Sequence, residues 1–313
     1  MSVNILLNAL ALGLLWGVMA IGVHLTFRIL NYADLTAEGS FTLGAGLAAR
    51  LIANGMDPLA GTIFAVTAGM LAGVVTGFLH TVLKIPPLLS GILAMTGLYS
   101  INLRVMGTPN IPLPRGGTTL ITRIANIPGV SHIIEWTGIP ERLGAAIVLG
   151  IIVVAIVIIL LRLFFNTELG YVVRATGDNE AMAQAQGVNT RRMKVLGLVL
   201  SNGCIALSGA LVFQFQGFAD INMGIGVIVI GLASVIIGEV VFNDKNNHKV
   251  FIAVVLGSIL YRVILAFVLS AGINPNDFRL FSALMLAIAL SVPLIRNKLN
   301  LNLSAFVKRK GGE

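Results

Sequence analysis

Apolar runs of roughly twenty residues follow one another from end to end of this chain, each long enough to cross a hydrocarbon layer about 30 Å thick. They fall near residues 4–28, 31–51, 58–83, 86–106, 143–165, 195–216, 219–242, 249–271 and 277–295. Between them stand Asn54-Gly55-Met56-Asp57-Pro58, Pro86-Pro87, Asn243-Asp244-Lys245-Asn246-Asn247 and Asn274-Pro275-Asn276, which are turn chemistry rather than helix interior. The pattern predicts an all-α polytopic membrane protein of about nine or ten transmembrane helices. No stretch is left for a sizeable soluble domain, so residues 1–313 read as one transmembrane domain. Two connections are longer. The external one, 107–142, holds five of the ten prolines, and the other, 166–194, is polar and charged.

Composition strengthens this reading. The chain is 57% hydrophobic and 11% charged, against roughly 25% charged for soluble domains. The first run lacks the basic start and small-residue cleavage site of a signal peptide and reads as a retained helix. Cys204 is the only cysteine, so no internal disulfide forms. A net charge of +8 would suit nucleic acid in a soluble protein, but in a membrane protein its distribution sets orientation instead. Placing the 166–194 connection and the 296–313 tail in the cytoplasm puts Arg28, Lys84, Arg174, Arg191, Arg192, Lys194 and the basic tail on that side. With nine spans the N-terminus is then external. Lipid, not nucleic acid, is the expected surroundings.

A weak internal repeat is present. Tyr32-Ala33-Asp34-Leu35-Thr36 and Phe218-Ala219-Asp220-Ile221-Asn222 each begin a unit of three apolar segments, and Pro86 and Pro275 break the two units at comparable places. An odd number of spans separates the starts, so the units face opposite ways, as in transporters built from inverted repeats. Chance matching in apolar sequence is the competing reading.

The 166–194 connection carries the clearest local signal. Residues 179–186 are good helix formers, with Asp178 or Asn179 suited to cap the start and Gly187 suited to end it. Ala181 and Ala185, four apart, share one face that lets a partner approach closely. An ordinary amphipathic loop helix fits the same residues. The order Arg174-Ala175, Glu180-Ala181, Ala185, Gly187-Val188-Asn189, Arg191 and Lys194, followed by Ala206-Leu207-Ser208-Gly209-Ala210, resembles the cytoplasmic coupling segment of permease subunits from the branched-chain amino acid and ribose branch of bacterial ABC importers. Asn31-Tyr32-Ala33-Asp34-Leu35-Thr36-Ala37-Glu38-Gly39-Ser40 resembles both the amino acid branch, where Asn-Phe-Ala-His-Gly-Glu is usual, and the sugar branch, with Asp-Leu-Ser-x-Gly-Ser.

The resemblance implies a permease in the bacterial inner membrane that pairs with a second permease copy or paralogue. A cytoplasmic ABC ATPase would dock on residues near 178–189, and an extracellular solute-binding protein would deliver the solute. Among solutes, an amino acid is favoured over a sugar or nucleoside, because Glu38-Gly39 keeps the ending of the amino acid branch. The chain contains no Gly-x4-Gly-Lys-Ser/Thr loop, so no cofactor is expected in it, and ATP and Mg would belong to the partner ATPase. It is not expected to be an enzyme. The alternative is a stand-alone secondary transporter coupled to an ion gradient.

Ionisable groups within spans mark a pathway or a pairing by default. Asp34 and Glu38, at the inner end of one span and four apart on one helix face, and Asp220 and Asn222, at the outer end of the repeat-related span, are candidates with Asn31 for lining the solute route. Capping in the interfacial layer is the other reading of the same positions. Arg262 and Glu239 are positioned to pair within the bundle. His24, His80, His132 and His248 show no metal-ligand spacing. Gly13/Gly17 and Gly69/Gly73/Gly77 form small-residue faces suited to close helix packing.

Overall fold

The computed structural model describes residues 3–114, 116–242, 249–270, 277 and 280–291. The breaks at 243–247 and 274–276 and the basic 296–313 tail lie outside the described residues. In chain order the elements are α1 (Val3–His24) with a π-helical turn (Leu25–Ile29), α2 (Thr36–Ala53), α3 (Pro58–Thr81), α4 (Pro87–Met106), β1 (Asn110–Pro112), α5 (Leu120–Ala125) and α6 (Pro128–Thr137). They continue with α7 (Glu141–Phe165), α8 (Glu168–Asp178), α9 (Glu180–Ala185), α10 (Thr190–Gln216), β2 (Phe218–Asp220), α11 (Val227–Phe242), α12 (Val250–Ser270) and α13 (Leu280–Ser291).

Among the described residues, six helices are long and apolar enough to span a bilayer: α1 with its π turn, α3, α4, α7, α10 and α12. The expected runs at 31–51 and 219–242 are the ones that differ, and the 277–295 run lies partly outside the described residues. α11 and α13 are shorter apolar helices. The first two runs do not begin as helix. In the 31–51 run Asn31 sits at φ 50, and the Asp34 carboxylate accepts from the Thr36 N–H at 3.0 Å. In the 219–242 run β2 and turns occupy the start, and Asp220 accepts from the Asn222 N–H at 2.8 Å. Each carboxylate imitates a backbone turn and postpones the helix. α2 is buried on most of its circumference, so its Gly, Ser and Thr residues face protein instead of lipid. The apolar side chains left exposed are instead those such as Ile63, Leu71, Val75 and Phe78 of α3 and Ile151, Ile156 and Leu160 of α7.

The repeat is visible in the packing. α1 and α10 run antiparallel, with Ser208 donating to the Leu15 carbonyl at 2.8 Å and Ser201 to the Gly22 carbonyl at 2.7 Å. α3 packs along α10, and α12 packs along α1. The register that pairs Asp34 with Asp220 also pairs Gly13 with Val199 and Gly73 with Ile259. A Cβ on Gly13 would lie 2.6 Å from the Ile259 Cα, and one on Gly73 would lie 2.9 Å from the Val199 Cα. The two interfaces are thus equivalent, with the glycine on α1 in one and on α3 in the other. Gly17 against Val255, and Gly69 and Gly77 against α10, extend these contacts, so the small-residue faces are used inside the chain.

The 107–142 connection is folded. β1 pairs antiparallel with β2, matching Asn110 to Asp220 and Pro112 to Phe218. Thr119 closes a capping box on α5. Arg123 pairs with Asp57, and Arg142 donates to the Phe215 carbonyl at 2.5 Å, which ties this cap to the ends of α3 and α10.

Candidate functional site

Two places combine chemistry with position. The first is a polar cluster buried in the bundle. Asn202, in the middle of α10, donates to Asp34 Oδ2 at 2.7 Å and accepts from Ser40 Oγ at 2.6 Å. Thr36 and Thr76 join their hydroxyls at 2.7 Å beside it. Asp34, Thr36, Ser40, Thr76 and Asn202 are all buried. One carboxamide therefore holds the first broken segment, α2 and α10 together.

Asp34 lies in the break and not on α2, so Asp34 and Glu38 do not share a helix face. It also lies deeper than expected, because its partner Asn202 is twelve residues along α10 from Thr190, about 18 Å at 1.5 Å per residue. Glu38 is in the first turn of α2 and accepts from the Gly226 N–H at 2.9 Å. That bond joins α2 to the turn preceding α11, where Gly224 comes so close that a Cβ would lie 2.0 Å from the Glu38 carbonyl oxygen. The two broken segments meet there. Asp220 and Asn222 are not part of this meeting point, since Asp220 sits at the β1–β2 edge bonded to its own backbone. Asn31 is exposed in the left-handed region that asparagine tolerates. Asn202 and Thr76 belong to no motif in the sequence, and Ser40 only ends the Asn31–Ser40 stretch; the available signal is an Asn in the centre of an apolar run.

Asparagine can hold the turn that Asp220 makes. Asp220→Asn should therefore keep membrane protein level and solute uptake within about twofold of the parent. A large uptake loss at normal level would instead assign Asp220 to solute contact.

The pairing of Arg262 with Glu239 does not form. Glu239 lies at the end of α11, where Arg28 of the π turn takes it, while Arg262 sits within α12 with its guanidinium 4.0 Å from the Trp16 ring centroid.

The second place is the 166–194 connection, which contains two helices. α8 is docked onto the fold, with Gly177 against the Ile29 carbonyl and Arg174 stacked 4.6 Å over Phe165. Asn179, not Asp178, caps α9 by accepting from the Met182 N–H at 3.0 Å, and Gly187 ends the segment at φ 83. Asn189 caps α10 by accepting from Arg192 N–H at 3.2 Å, while the Val188 N–H donates to Ala183 at 3.1 Å. Glu180 accepts from Lys194 Nζ at 2.8 Å and from Thr190 Oγ1 at 3.2 Å. The Lys194 hydrogen bond holds the Glu180 carboxyl below its ordinary pKa. Lys194 also reaches His80 Nε2 at 3.4 Å, and His80, Lys84, Glu180, Gln184, Arg191 and Lys194 help line a cavity of about 250 Å³. Turned outward are Asp178, Ala181, Met182 and Ala185, with Ala183 buried beneath.

The chain matches the family described as branched-chain amino acid transport system / permease component over residues 5–290. It is 41% identical over 281 residues to the tyrosine transport system permease protein of Clostridioides difficile (strain R20291), covering 90% of this chain and 88% of that one. It is 29% identical to the inner membrane ABC transporter permease protein YjfF of Escherichia coli (strain K12), covering 76% and 68%. It is 28% identical to the galactofuranose transporter permease protein YtfT of the same strain, covering 70% and 60%. No solved structure matches the chain.

Proposed function

We propose, from the premise that this chain belongs to the branched-chain amino acid transport permease family, that the solute it passes as a multi-pass inner-membrane permease of an ABC importer is an amino acid. The observation that carries the choice of solute is the 41% identity, across 90% of the chain, to a tyrosine permease. The galactofuranose-named relative is more distant and is matched over less of its length. An aromatic amino acid is the first candidate.

Two copies of the chain, or this chain and a paralogue, enclose the route, and a separate ATPase docks on each through α8 and α9. The outward Ala181, Met182 and Ala185 form the contact, while Glu180 links α9 to α10 through Lys194. Closure of the ATPase pair on ATP pushes this lever. α10 carries the push inward to Asn202, and so to Asp34 and the first broken segment. Gly177 against Ile29 carries it to the π turn of α1. A binding protein delivers solute at the opposite face, where the β1–β2 cap lies.

The test is uptake of labelled tyrosine by proteoliposomes holding the assembled permease and ATPase, with the binding protein outside. ATP-dependent uptake competed by unlabelled amino acids is expected. Uptake of a pentose or hexose with none of amino acids would overturn the choice of solute and leave the family unaffected.

A further inference from the structure

Within the bundle, among the described residues, a cation stands without an anion. Arg262 Nε and Nη2 are shut from solvent and have no hydrogen-bond partner among the described residues, and the indole Nε1–H of Trp16 beneath them has none there either. The guanidinium lies over the Trp16 ring at 4.0 Å, and that ring stands 5.0 Å from the ring of Phe41. Glu239, the carboxylate within reach by sequence, is held by Arg28. As a residue Arg262 is only half-buried, so the group lies just inside the surface of the bundle. Trp16 falls midway along the span Val3–Ile29.

An ionised side chain at that depth is costly and is paired or functional by default. Its stacking on indole supplies attraction from the ring face but satisfies none of the N–H groups. The unmet N–H groups sit on three nitrogens, two of the guanidinium and one of the indole it covers. Their complement is a carboxylate, whose two oxygens accept from a guanidinium fork in a charge-assisted, geometrically specific way. A sugar offers no anion to this arrangement.

We propose that Arg262 and Trp16 form a carboxylate-binding subsite for the transported solute, the guanidinium and the indole N–H together holding its carboxylate. This deepens the amino acid reading above and rests on it for the identity of the solute. It makes the permease itself a second filter after the binding protein, rejecting amines and neutral solutes that lack the anion.

The test uses the full chain in lipid nanodiscs. Of its two tryptophans, Trp136 is 90% exposed, so Trp136→Phe leaves Trp16 as the reporter. L-phenylalanine and L-leucine are titrated against their amides, which lack the carboxylate. A saturable change of Trp16 emission with the acids and none with the amides is expected, and Arg262→Gln should weaken it roughly tenfold or more. Arg262→Lys should keep part of it. Equal responses to acids and amides, or no saturable response, overturn the proposal. So does an Arg262→Gln chain that keeps the response, or one whose only defect is failure to pair with a second permease, which would assign Arg262 to subunit assembly. The acid–amide comparison is made with Arg262 intact and decides the matter even where the variant misfolds. Amino acid uptake with a silent Trp16 sinks this subsite alone; carboxylate binding without amino acid uptake sinks the choice of solute alone.

Discussion

Glu180→Arg should abolish recovery of the ATPase with the tagged permease from membranes in mild detergent, reducing it by roughly tenfold or more. The substitution removes the acceptor of Lys194 Nζ and Thr190 Oγ1 and puts a cation among Lys194, Arg191 and Lys84. α9 then loses its anchor to α10 and presents Ala181, Met182 and Ala185 at the wrong angle. The fold itself should hold, because the Glu180 side chain is 43% exposed and such a pair contributes about 1 kcal/mol at most. Permease level and thermal midpoint are the control. A full complement of ATPase on the variant would place docking elsewhere. The acid behaviour follows from the same contact. The carboxyl is held below its ordinary pKa chiefly by Lys194, so its contribution is fully present above the ordinary carboxylate range. It is lost only as pH falls through the lowered value.

The largest loss of stability is expected at Asn202→Leu, about 3 kcal/mol or more. Asp34 Oδ2 then loses the Asn202 donor, and Ser40 Oγ loses its acceptor, both in buried surroundings. The readout is thermal unfolding of the purified chain together with its level in the membrane. The double substitution Asp34→Leu with Asn202→Leu should recover a good part of the loss, because it removes the buried carboxylate together with the donor it needs. A double variant no better than the single one would mean that the turn Asp34 makes with Thr36 outweighs its bond to Asn202.

Much of this was legible in the chain. The long apolar runs marked α1, α3, α4, α7, α10 and α12 because lipid-facing helices must be apolar around most of their circumference. α2 was readable as an element but not in its start. Hydropathy cannot register that Asp34 folds back on the Thr36 N–H, since that is a local competition for a backbone donor. The same holds for Asp220 in front of α11. The cap at Asn179 and the stop at Gly187 followed from side-chain length and backbone freedom, which are properties of single residues. The Asn202 link to Asp34 was illegible because it depends on how α10 lies against a non-helical segment far away in sequence. Arg262 and Glu239 show the limit of pairing by sign alone, since Arg28 meets Glu239 only because the π turn delivers it.

The exchanged packing of α3 on α10 and α12 on α1 bears on how the protein is made. A ribosome delivers the first four helices well before α10 exists, so for the time of synthesis across the middle of the chain the glycine face of α3 is without its complement. Neither repeat supplies that complement from its own sequence; each waits for the other. The early half must rest against lipid, or a membrane-resident helper, until α10 emerges. Two separately encoded halves should then accumulate only when both are produced in the same cell.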